Sequence, residues 1–359
     1  METKMVLDYF KNSKKNITEY LSEYFYNRGN EITQIYTLDD NIKERIFDFT
    51  VSGKMIRGSL VTLGYELYQE EKAFLPAVQA GAALELFQSA LLIHDDIMDK
   101  DLSRRGAPSL FSQYRDYARN KYLSDPDHTG NSLGICAGDI AFFLGFEILS
   151  LLSIPESKKG DIIAFSSKEL SYVGLAQMMD VFRGASPDLP EEEDIFHIYR
   201  YKTGRYTFSM PLIIGGKLGN APESSLKLLE KIGELFGLVF QIKDDELGLF
   251  GEEQSIGKPS GSDIAEGKKT LYYINLFSLA AEEDKENLSA IFGSSEITPE
   301  EIAYVRALVK DLGIQEKIEQ KIQSLGAEAQ SLIDSLKGVQ DEAKSLLSAL
   351  IQYSINRKK

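Results

Sequence analysis

This sequence of 359 residues contains little cysteine and histidine, and its acidic residues outnumber its basic ones. The one cysteine, Cys136, excludes an intramolecular disulfide and a zinc site built from thiolates, and it suits a reducing compartment. The three histidines argue against a histidine-rich metal centre. The formal net charge of −15 argues against a nucleic-acid partner, because nucleic acids attract basic surfaces. An anionic ligand would need bound metal ions and a local group of cations.

No hydrophobic run is long enough to predict a membrane-spanning helix. The longest apolar stretch, residues 140–154, is interrupted by Glu147 and falls short of the roughly 20 residues that such a helix needs. It predicts a buried helix or a subunit interface instead. Residues 1–16 are polar and mixed in charge, so no secretory signal is expected. We therefore expect a cytoplasmic protein without a transmembrane segment.

Strand-like alternation is nearly absent, and helical periodicity dominates the sequence. Loops are expected at 120–131, 183–191 and 250–263. The apolar-rich helical segments are expected at about 40–70, 76–100, 132–154, 160–182, 192–218, 223–247 and 266–281. Because neither a repeat nor a linker divides the chain, we predict one all-α domain over residues 1–359. This helical bundle has a motif-bearing core at about 40–281 and peripheral C-terminal helices at about 295–359.

A first acidic cluster, Asp95-Asp96-Ile97-Met98-Asp99, ends the almost wholly apolar segment 78–94. Asp95 and Asp99 are four residues apart and therefore share one helix face. Unpaired carboxylates at the end of a buried helix are destabilising, and a hard divalent cation such as Mg²⁺ offsets that penalty. A solvated helix end paired with nearby cations is the alternative. The following pair Arg104-Arg105 favours a metal site that binds polyphosphate.

A second acidic cluster closes the helical segment that begins near Ser224. Gln241, Asp244, Asp245 and Gly248 are spaced to share one helix face. An apolar helix ending in paired aspartates thus occurs twice in the chain. If the two helix ends face each other across one cavity, their carboxylates could hold two or three Mg²⁺ ions around a diphosphate.

Lysine and arginine recur at positions that could bind diphosphates. Lys54 and Arg57 are expected on one helix face, Lys202 lies in a tyrosine-rich helix, and Lys258 lies in a loop rich in Gly, Ser and Pro. Lys268 is expected to open the next helix. Each lysine or arginine alone is most often a solvated surface cation, but together they supply what an acidic protein needs to bind two anions.

Over residues 50 to 280 the chain resembles the trans-polyprenyl diphosphate synthases, the family of farnesyl and geranylgeranyl diphosphate synthases. The motifs in family order are Gly53-Lys54 with Arg57; Gln88; Asp95-Asp96-x-x-Asp99 with Arg104-Arg105-Gly106; His128 with Ser132-Leu133 and Ala137-Gly138-Asp139; Gln177-x-x-Asp180; Lys202-Thr203; Gln241 with Asp244-Asp245; and Gly257-Lys258 with Asp263 and Lys268. This resemblance implies a bundle of the isoprenoid synthase type with a central cavity. It also implies a homodimer that condenses isopentenyl diphosphate with dimethylallyl, geranyl or farnesyl diphosphate.

The resemblance also implies a role for each motif residue. Asp95 and Asp99 would bind two Mg²⁺ ions and Asp244 a third, with Mn²⁺ as an alternative ion, while Asp96 and Asp245 would hold waters and basic partners. The implied ligands of the allylic diphosphate are Arg104, Lys202 and Lys258. Those of isopentenyl diphosphate are Lys54, Arg57, Gln88 and Arg105. The resemblance adds Gln177, Asp180 and Lys268 to the substrate-binding residues and places Thr203 and Gln241 beside the allylic cation. One departure is Gly248, where many members of the family have a third aspartate.

Product length in this family depends on the floor of the pocket under the first aspartate. Farnesyl-forming relatives of the animal type have aromatic residues at the fifth and fourth positions before it, where this chain has Ala90 and Leu91. The smaller residues predict a deeper pocket and the C20 product geranylgeranyl diphosphate. Phe142, Phe143 and Phe146 are either part of that floor or ordinary core, so a farnesyl or a longer product is the alternative.

Three other functions fit parts of the pattern less well. A class I terpene cyclase needs a Ser or Thr where this chain has Gly248, and it needs no second diphosphate pocket at Lys54 and Arg57. A non-catalytic synthase subunit typically has a degraded first acidic motif, whereas Asp95, Asp96 and Asp99 are all present. A purely structural helical scaffold does not explain the ordered basic motifs.

Overall fold

The computed structural model of the chain describes residues 2–35, 41–251, 261–294 and 296–357. Within these ranges the fold is almost entirely helical, and the strands are limited to one two-stranded antiparallel hairpin. In chain order the elements are α1 (Glu2–Ile35), α2 (Ile42–Val51), α3 (Ile56–Glu66), α4 (Leu75–Asp99), β1 (Ser103–Arg104), β2 (Ala107–Pro108), α5 (Leu110–Asn120), α6 (Pro126–Ser150), α7 (Glu156–Ala185), α8 (Glu192–Ile198), a π-helical segment (Tyr199–Ser209), α9 (Met210–Leu218), α10 (Glu223–Phe250), α11 (Ser262–Ala265), α12 (Leu271–Leu279), α13 (Glu282–Ile291), α14 (Pro299–Asp311), α15 (Ile314–Ser335) and α16 (Asp341–Asn356). The prediction of an all-α fold is confirmed.

The chain divides into two compact units. An N-terminal unit comprises Leu7–Phe165 and Pro211–Ala221, and a C-terminal unit comprises Met1–Val6, Ser166–Met210 and Pro222–Lys359. The sequence-based expectation of a single domain stays a prediction.

Helix α4 is the core of the N-terminal unit, where it packs against α2, α3, α5 and α6. Its Ala- and Leu-rich sequence has a high helix propensity, and Pro76 lies in the first turn, where its missing N–H costs no hydrogen bond. Close packing against α3 depends on Gly58 and Gly81, because a Cβ atom on either would approach the backbone of the other helix to 3.0 Å or less. The helix ends at Lys100, which adopts the left-handed conformation with φ 59° directly after Asp99.

Helix α10 has the same place in the C-terminal unit, where it packs against the π-helical segment, α15 and α16. Gly204 of the π-helical segment and Gly237 of α10 bring the two backbones together, since a Cβ atom on Gly237 would lie closer than 3.0 Å to the Gly204 backbone. A π-helical turn inserts an extra residue into a helix and is frequent at functional sites. Here it carries Lys202 and Thr203.

Three local predictions from the sequence are wrong. Lys268 does not open a helix, because Thr270 caps α12 and this helix begins only at Leu271. Lys54 and Arg57 do not share a helix face, because α2 ends at Val51 and α3 begins only at Ile56. Met55 interrupts the helix with a left-handed φ of 53° while its side chain is 1% exposed. The expected loop at 120–131 is also shorter, because Asp125 accepts the N–H of His128 and starts α6 at Pro126.

By length and composition alone, two of the described helices could cross a membrane. The most apolar stretch of α4 is 78% buried within the protein, as expected for a core helix. The corresponding stretch of α6 is 44% buried. The expectation that the chain has no transmembrane segment stays a prediction.

Candidate active site

The first acidic cluster occupies the last turn of α4. The Asp95 side chain is 24% exposed, Asp99 is exposed, and Asp96 is fully buried. Asp95 and Asp99 are therefore accessible to an ion or a ligand. One carboxylate oxygen of Asp96, Oδ2, is buried and accepts no hydrogen bond in the described structure.

Arg104 on β1 holds the buried carboxylate of Asp96. Its Nε donates to Asp96 Oδ1 at 2.6 Å, and its terminal nitrogen donates to Asp101 at 3.1 Å and lies 4.0 Å from Asp95. Burial raises the pKa of Asp96 to about 6 although the positive charge of Arg104 lowers it. Arg104 is thus a basic partner of Asp96, as the resemblance implies, and its role toward an allylic diphosphate stays a prediction.

A group of basic side chains lies at the start of α3 in the same unit. Lys54 is exposed and Arg57 is half-buried. Arg105 donates from one guanidinium nitrogen to the carbonyl of Phe49 at 3.2 Å and to the hydroxyl of Ser52 at 3.0 Å. Gln88, on α4, is half-buried.

Two elements fix Arg105 against the loop that carries Lys54. The hairpin turn between β1 and β2 gives Arg105 a left-handed φ of 56°. A Cβ atom on Gly53 would lie 2.9 Å from both terminal nitrogens of Arg105, so only glycine leaves room for the guanidinium there. The structure therefore brings Arg105 beside Gly53-Lys54, as the motif order suggests.

The residues predicted to control product length divide into buried and exposed ones. Ala90 is 0% exposed, and Leu91 is half-buried. The rings of Phe142 and Phe146 pack on Phe87, with centroid separations of 6.2 and 4.8 Å. Phe87 was not singled out from the sequence because it lies in a uniformly apolar run.

Phe143 is the exception among these residues. It is 71% exposed, so its place in the pocket floor stays a prediction. Its alternative assignment to the core is wrong. The reason is helical periodicity, since residue 143 is turned about 100° away from Phe142 around the axis of α6.

The second acidic cluster lies near the end of α10, where Asp245 is 2% exposed. Tyr199 donates its hydroxyl proton to Asp245, and Gln241 Nε2 donates to Asp245 Oδ1 at 3.1 Å. Lys268 lies 3.7 Å from the same oxygen. Burial raises the pKa of Asp245 to about 7, against the effect of the Lys268 charge and with a further rise from Asp263. The structure thus brings together Gln241, Asp245 and Lys268, three of the predicted site residues.

The neighbouring side chain of Asp263 explains why position 248 is a glycine. A Cβ atom on Gly248 would lie closer than 3.0 Å to the carboxylate of Asp263, which therefore fills the space beside this glycine. Lys268 lies 3.9 Å from Asp263. A third aspartate on α10 would compete with Asp263 for the same volume.

The remaining motif residues of the C-terminal unit lie on α7 and the π-helical segment. Lys202 Nζ donates to Asp180 Oδ2 at 2.6 Å, so these two predicted residues meet in the structure. Gln177 and Thr203 are half-buried. Lys258 lies outside the described residues, and its predicted role stays a prediction.

Sequence reasoning missed the ion cluster that anchors the π-helical segment. The Arg205 guanidinium, 8% exposed, donates to Glu169 at 2.8 and 3.0 Å, to Glu230 at 2.6 Å and to Glu234. Because these acids lie on α7 and α10, Arg205 ties the segment that carries Lys202 to both neighbouring helices. Helix-spaced Glu230 and Glu234 were a usable signal, but their partner is distant in sequence.

Arg357, close to the C-terminus, was also missed. Its guanidinium donates to Asp244 Oδ1 at 2.6 Å and to the carbonyl of Phe240 at 3.2 Å, and it lies 3.9 Å from the centre of the Phe240 ring. Arg357 is 9% exposed. A lone arginine near a polar chain end gives no sequence signal for such a contact.

Comparison with known proteins adds independent information. A family model described as polyprenyl synthetase matches residues 40–309. A geranylgeranyl diphosphate synthase of Sulfolobus acidocaldarius is 29% identical over 354 residues, which is 94% of this chain and 99% of that protein. A short chain isoprenyl diphosphate synthase of Methanocaldococcus jannaschii is 34% identical over 261 residues, which is 72% of each chain.

A solved structure shows that the likeness extends to the fold. The geranylgeranyl pyrophosphate synthase of Corynebacterium glutamicum, complexed with isoprenyl diphosphate and magnesium, superimposes with a TM-score of 0.87 and 27% identity. The superposition covers 96% of this chain and 98% of that one.

Proposed function

The chain belongs to the polyprenyl synthetase family, and we propose that it condenses isopentenyl diphosphate with an allylic diphosphate in a Mg²⁺-dependent reaction, with geranylgeranyl diphosphate as the main product. The prediction of the family and of the prenyltransferase reaction is confirmed by the family match. The observation that carries the proposal for this chain is the end of α4. There Asp95 and Asp99 are accessible while Arg104 neutralises the buried Asp96 between them.

The donor set fits Mg²⁺ better than a metal that is fully coordinated by protein. Among the described residues, no three His, Cys, Asp or Glu side chains form a group that could hold an ion. Mg²⁺ usually keeps several waters and binds through one or two carboxylates together with substrate phosphates. We propose that Asp95 and Asp99 hold two ions and that Asp244 holds a third.

Each group of residues then has a physical task. When bound, Mg²⁺ stabilises the negative charge of the departing diphosphate. Arg104, Lys202 and Lys258 bind that diphosphate and add positive charge where negative charge develops. Thr203 and Gln241 border the allylic cation, and the surrounding apolar helices exclude water that would trap it. Tyr199 and Lys268 keep the buried Asp245 in place through the contacts described above.

The basic group near α3 is the proposed pocket for the second substrate. Lys54, Arg57, Gln88 and Arg105 bind the diphosphate of isopentenyl diphosphate and so fix the distance of its double bond from the allylic cation. The proton that is lost after bond formation goes to the departing diphosphate. No nucleophilic side chain is required for the reaction.

Product length follows from the buried residues before Asp95. Ala90 is buried and small where an aromatic ring would close the pocket, and the rings of Phe142 and Phe146 pack on Phe87. We propose that these three rings limit the depth of the pocket. This arrangement supports the C20 product over a C15 product. Longer products are the alternative if these rings move apart when the chain grows.

We further propose a cytoplasmic homodimer without a transmembrane segment. Ile135, Phe143 and Leu151 at α6 are 47%, 71% and 57% exposed, an apolar surface that a second copy of the chain would cover. The single cysteine, Cys136, is an exposed free thiol, which suits a reducing compartment. Small diphosphates are the only substrates that the site chemistry requires.

The proposal is tested by incubating the purified chain with Mg²⁺, labelled isopentenyl diphosphate and each of dimethylallyl, geranyl and farnesyl diphosphate. Mass spectrometry of the products should show mainly C20, and EDTA should abolish product formation. Cyclic hydrocarbon formed without isopentenyl diphosphate would identify a terpene cyclase instead. Activity that appears only with a second, different subunit would identify a non-catalytic partner.

A further inference from the structure

A buried carboxylate, Glu85, contacts the helix turn that carries Arg57. Glu85 lies in the middle of α4 and is 4% exposed. Its Oε1 accepts the backbone N–H of Gly58 at 2.7 Å. Buried acids are rare unless they are paired, so a carboxylate at this depth calls for a specific partner.

Glu85 caps the first turn of α3 from the neighbouring helix. The residue that precedes this turn, Met55, provides no side-chain cap and has a left-handed backbone. The N–H groups of Gly58 and Arg57 both lower the pKa of Glu85 by hydrogen bonding. The carboxylate therefore satisfies N–H groups that a helix leaves unpaired at its start, and its negative charge suits the positive end of the helix dipole.

The same carboxylate interacts electrostatically with two of the proposed diphosphate ligands. Burial raises the pKa of Glu85, and the charges of Arg57 and Arg105 lower it. The charges act on Arg105 in the same way. Burial lowers the pKa of Arg105, Glu85 and Asp96 raise it, and Arg104 and Arg57 lower it. Arg105 is thus repelled by Arg104 and Arg57, and Glu85 has the larger effect of the two anions that offset this repulsion.

The N-terminal helix holds the other side of the same loop. Lys14 Nζ on α1 donates to the carbonyl of Gly53 at 2.7 Å, and the Thr18 hydroxyl contacts Met55 Sδ at 3.8 Å. Helix α1 therefore fixes the loop that carries Lys54, and Glu85 on α4 fixes the first turn of α3, which follows this loop.

We propose that Glu85 is a positioning residue that holds Arg57 and Arg105 in register for the diphosphate of isopentenyl diphosphate. It does so by capping α3 and by offsetting the repulsion between the two guanidinium groups, without touching the substrate. This inference rests on the proposed function, because it assigns the basic group to isopentenyl diphosphate. The proposal predicts that loss of the Glu85 charge weakens the binding of isopentenyl diphosphate and not that of the allylic substrate.

The test compares Glu85→Gln and Glu85→Asp with the wild-type chain in steady-state kinetics. Glu85→Gln keeps an acceptor for the Gly58 N–H and removes the charge. It should raise the KM for isopentenyl diphosphate about tenfold or more, as expected when a hydrogen-bonded charge is lost, and change the KM for the allylic substrate less than about twofold. Glu85→Asp retains the charge and should recover part of the affinity.

Glu66→Gln is the matched control. Glu66 is a second buried carboxylate of the same unit, 6% exposed and paired with Lys72 at 3.5 Å. Its substitution should leave both KM values unchanged. Circular dichroism spectra that overlay with wild type establish that each variant is folded.

Calorimetric binding of isopentenyl diphosphate without an allylic substrate gives a second measurement that needs no turnover. The wild type should bind more tightly than Glu85→Gln by the same factor. Equal rises in both KM values, or unchanged binding, would overturn the positioning role. If the wild type forms no product, the proposed reaction fails, and the calorimetric comparison still decides the role of Glu85.

Discussion

The guanidinium of Arg357 lies 2.6 Å from Oδ1 of Asp244, the carboxylate proposed to hold a third metal ion. The arginine is 9% exposed and packs on the Phe240 ring, whereas the Asp244 side chain remains 55% exposed. A cation from the C-terminal segment thus pairs with one oxygen of Asp244. Because Arg357 neutralises part of the Asp244 charge, we expect it to weaken the attraction of this carboxylate for a metal ion.

Arg357→Gln should therefore raise the affinity of the chain for Mg²⁺. A partly exposed ion pair is worth about 0.2–1 kcal/mol, so an increase of about 1.4- to fivefold is expected. The measurement is a Mg²⁺ titration by calorimetry in the presence of inorganic diphosphate. Arg306→Gln is the control, because Arg306 donates to the Leu249 carbonyl of the same helix at 2.7 Å. Weaker Mg²⁺ binding by Arg357→Gln would show that Arg357 supports the ion instead.

Restoring the aspartate that many relatives have at position 248 should harm this chain. Gly248→Asp would place its side chain in the volume of the Asp263 carboxylate and add a negative charge near Asp245. Overpacking of this kind typically lowers the free energy of unfolding by about 1–3 kcal/mol. Urea denaturation measures the loss, with Gly248→Ala to separate the steric effect from the charge. A more stable and more active Gly248→Asp chain would contradict the assignment of this space to Asp263.

An aromatic residue at position 90 should shorten the product. Ala90→Phe places a ring in the buried position five residues before Asp95, and we expect the main product to shift from C20 to C15. Mass spectrometry of the reaction products measures the shift. Phe143→Ala is the matched control on α6, because Phe143 is 71% exposed and its removal should leave product length unchanged. A C20 product from Ala90→Phe would place the floor elsewhere.

The buried Glu85 should make stability depend on pH in a defined direction. Burial raises its pKa in the folded chain above the ordinary value of 4.5. The folded state therefore binds more protons than the unfolded state over this pH range. The contribution of Glu85 to the free energy of unfolding is fully present below about pH 4.5, and it is lost as the pH rises through the raised pKa. The free energy of unfolding of wild type relative to Glu85→Gln should fall over this range. Urea denaturation between pH 4.5 and 8 measures it, and parallel curves would contradict the raised pKa.

The acidic helix ends could be predicted because local spacing determines them. Asp95 and Asp99 occupy the last turn of α4 as expected, and the buried apolar run before them is the core of its unit. Asp245 likewise occupies the expected helix. In these segments hydrophobic periodicity and the fold agree, so the sequence pattern is sufficient.

The basic loop and the ion clusters could not be predicted because distant residues determine them. The break in the helix between Lys54 and Arg57 depends on Met55, whose buried side chain is contacted from α1, while Glu85 on α4 binds the following turn at Gly58. Glu85 resembles a stray charge in an apolar run until its partners on α3 are known. Arg357 is more than 100 residues from Asp244, its partner in the fold.

The account depends most on the proposal that the acidic end of α4 promotes cleavage of an allylic diphosphate. Single-turnover condensation with labelled isopentenyl diphosphate and Mg²⁺ tests this directly, with Asp95→Asn beside Asp116→Asn, a surface aspartate that pairs with Arg119 at 3.4 Å. We predict that wild type and Asp116→Asn form the new carbon–carbon bond at the same rate and that Asp95→Asn is slower by at least about a hundredfold. Equal rates for both variants, or no bond formation by wild type with any primer, would contradict the account.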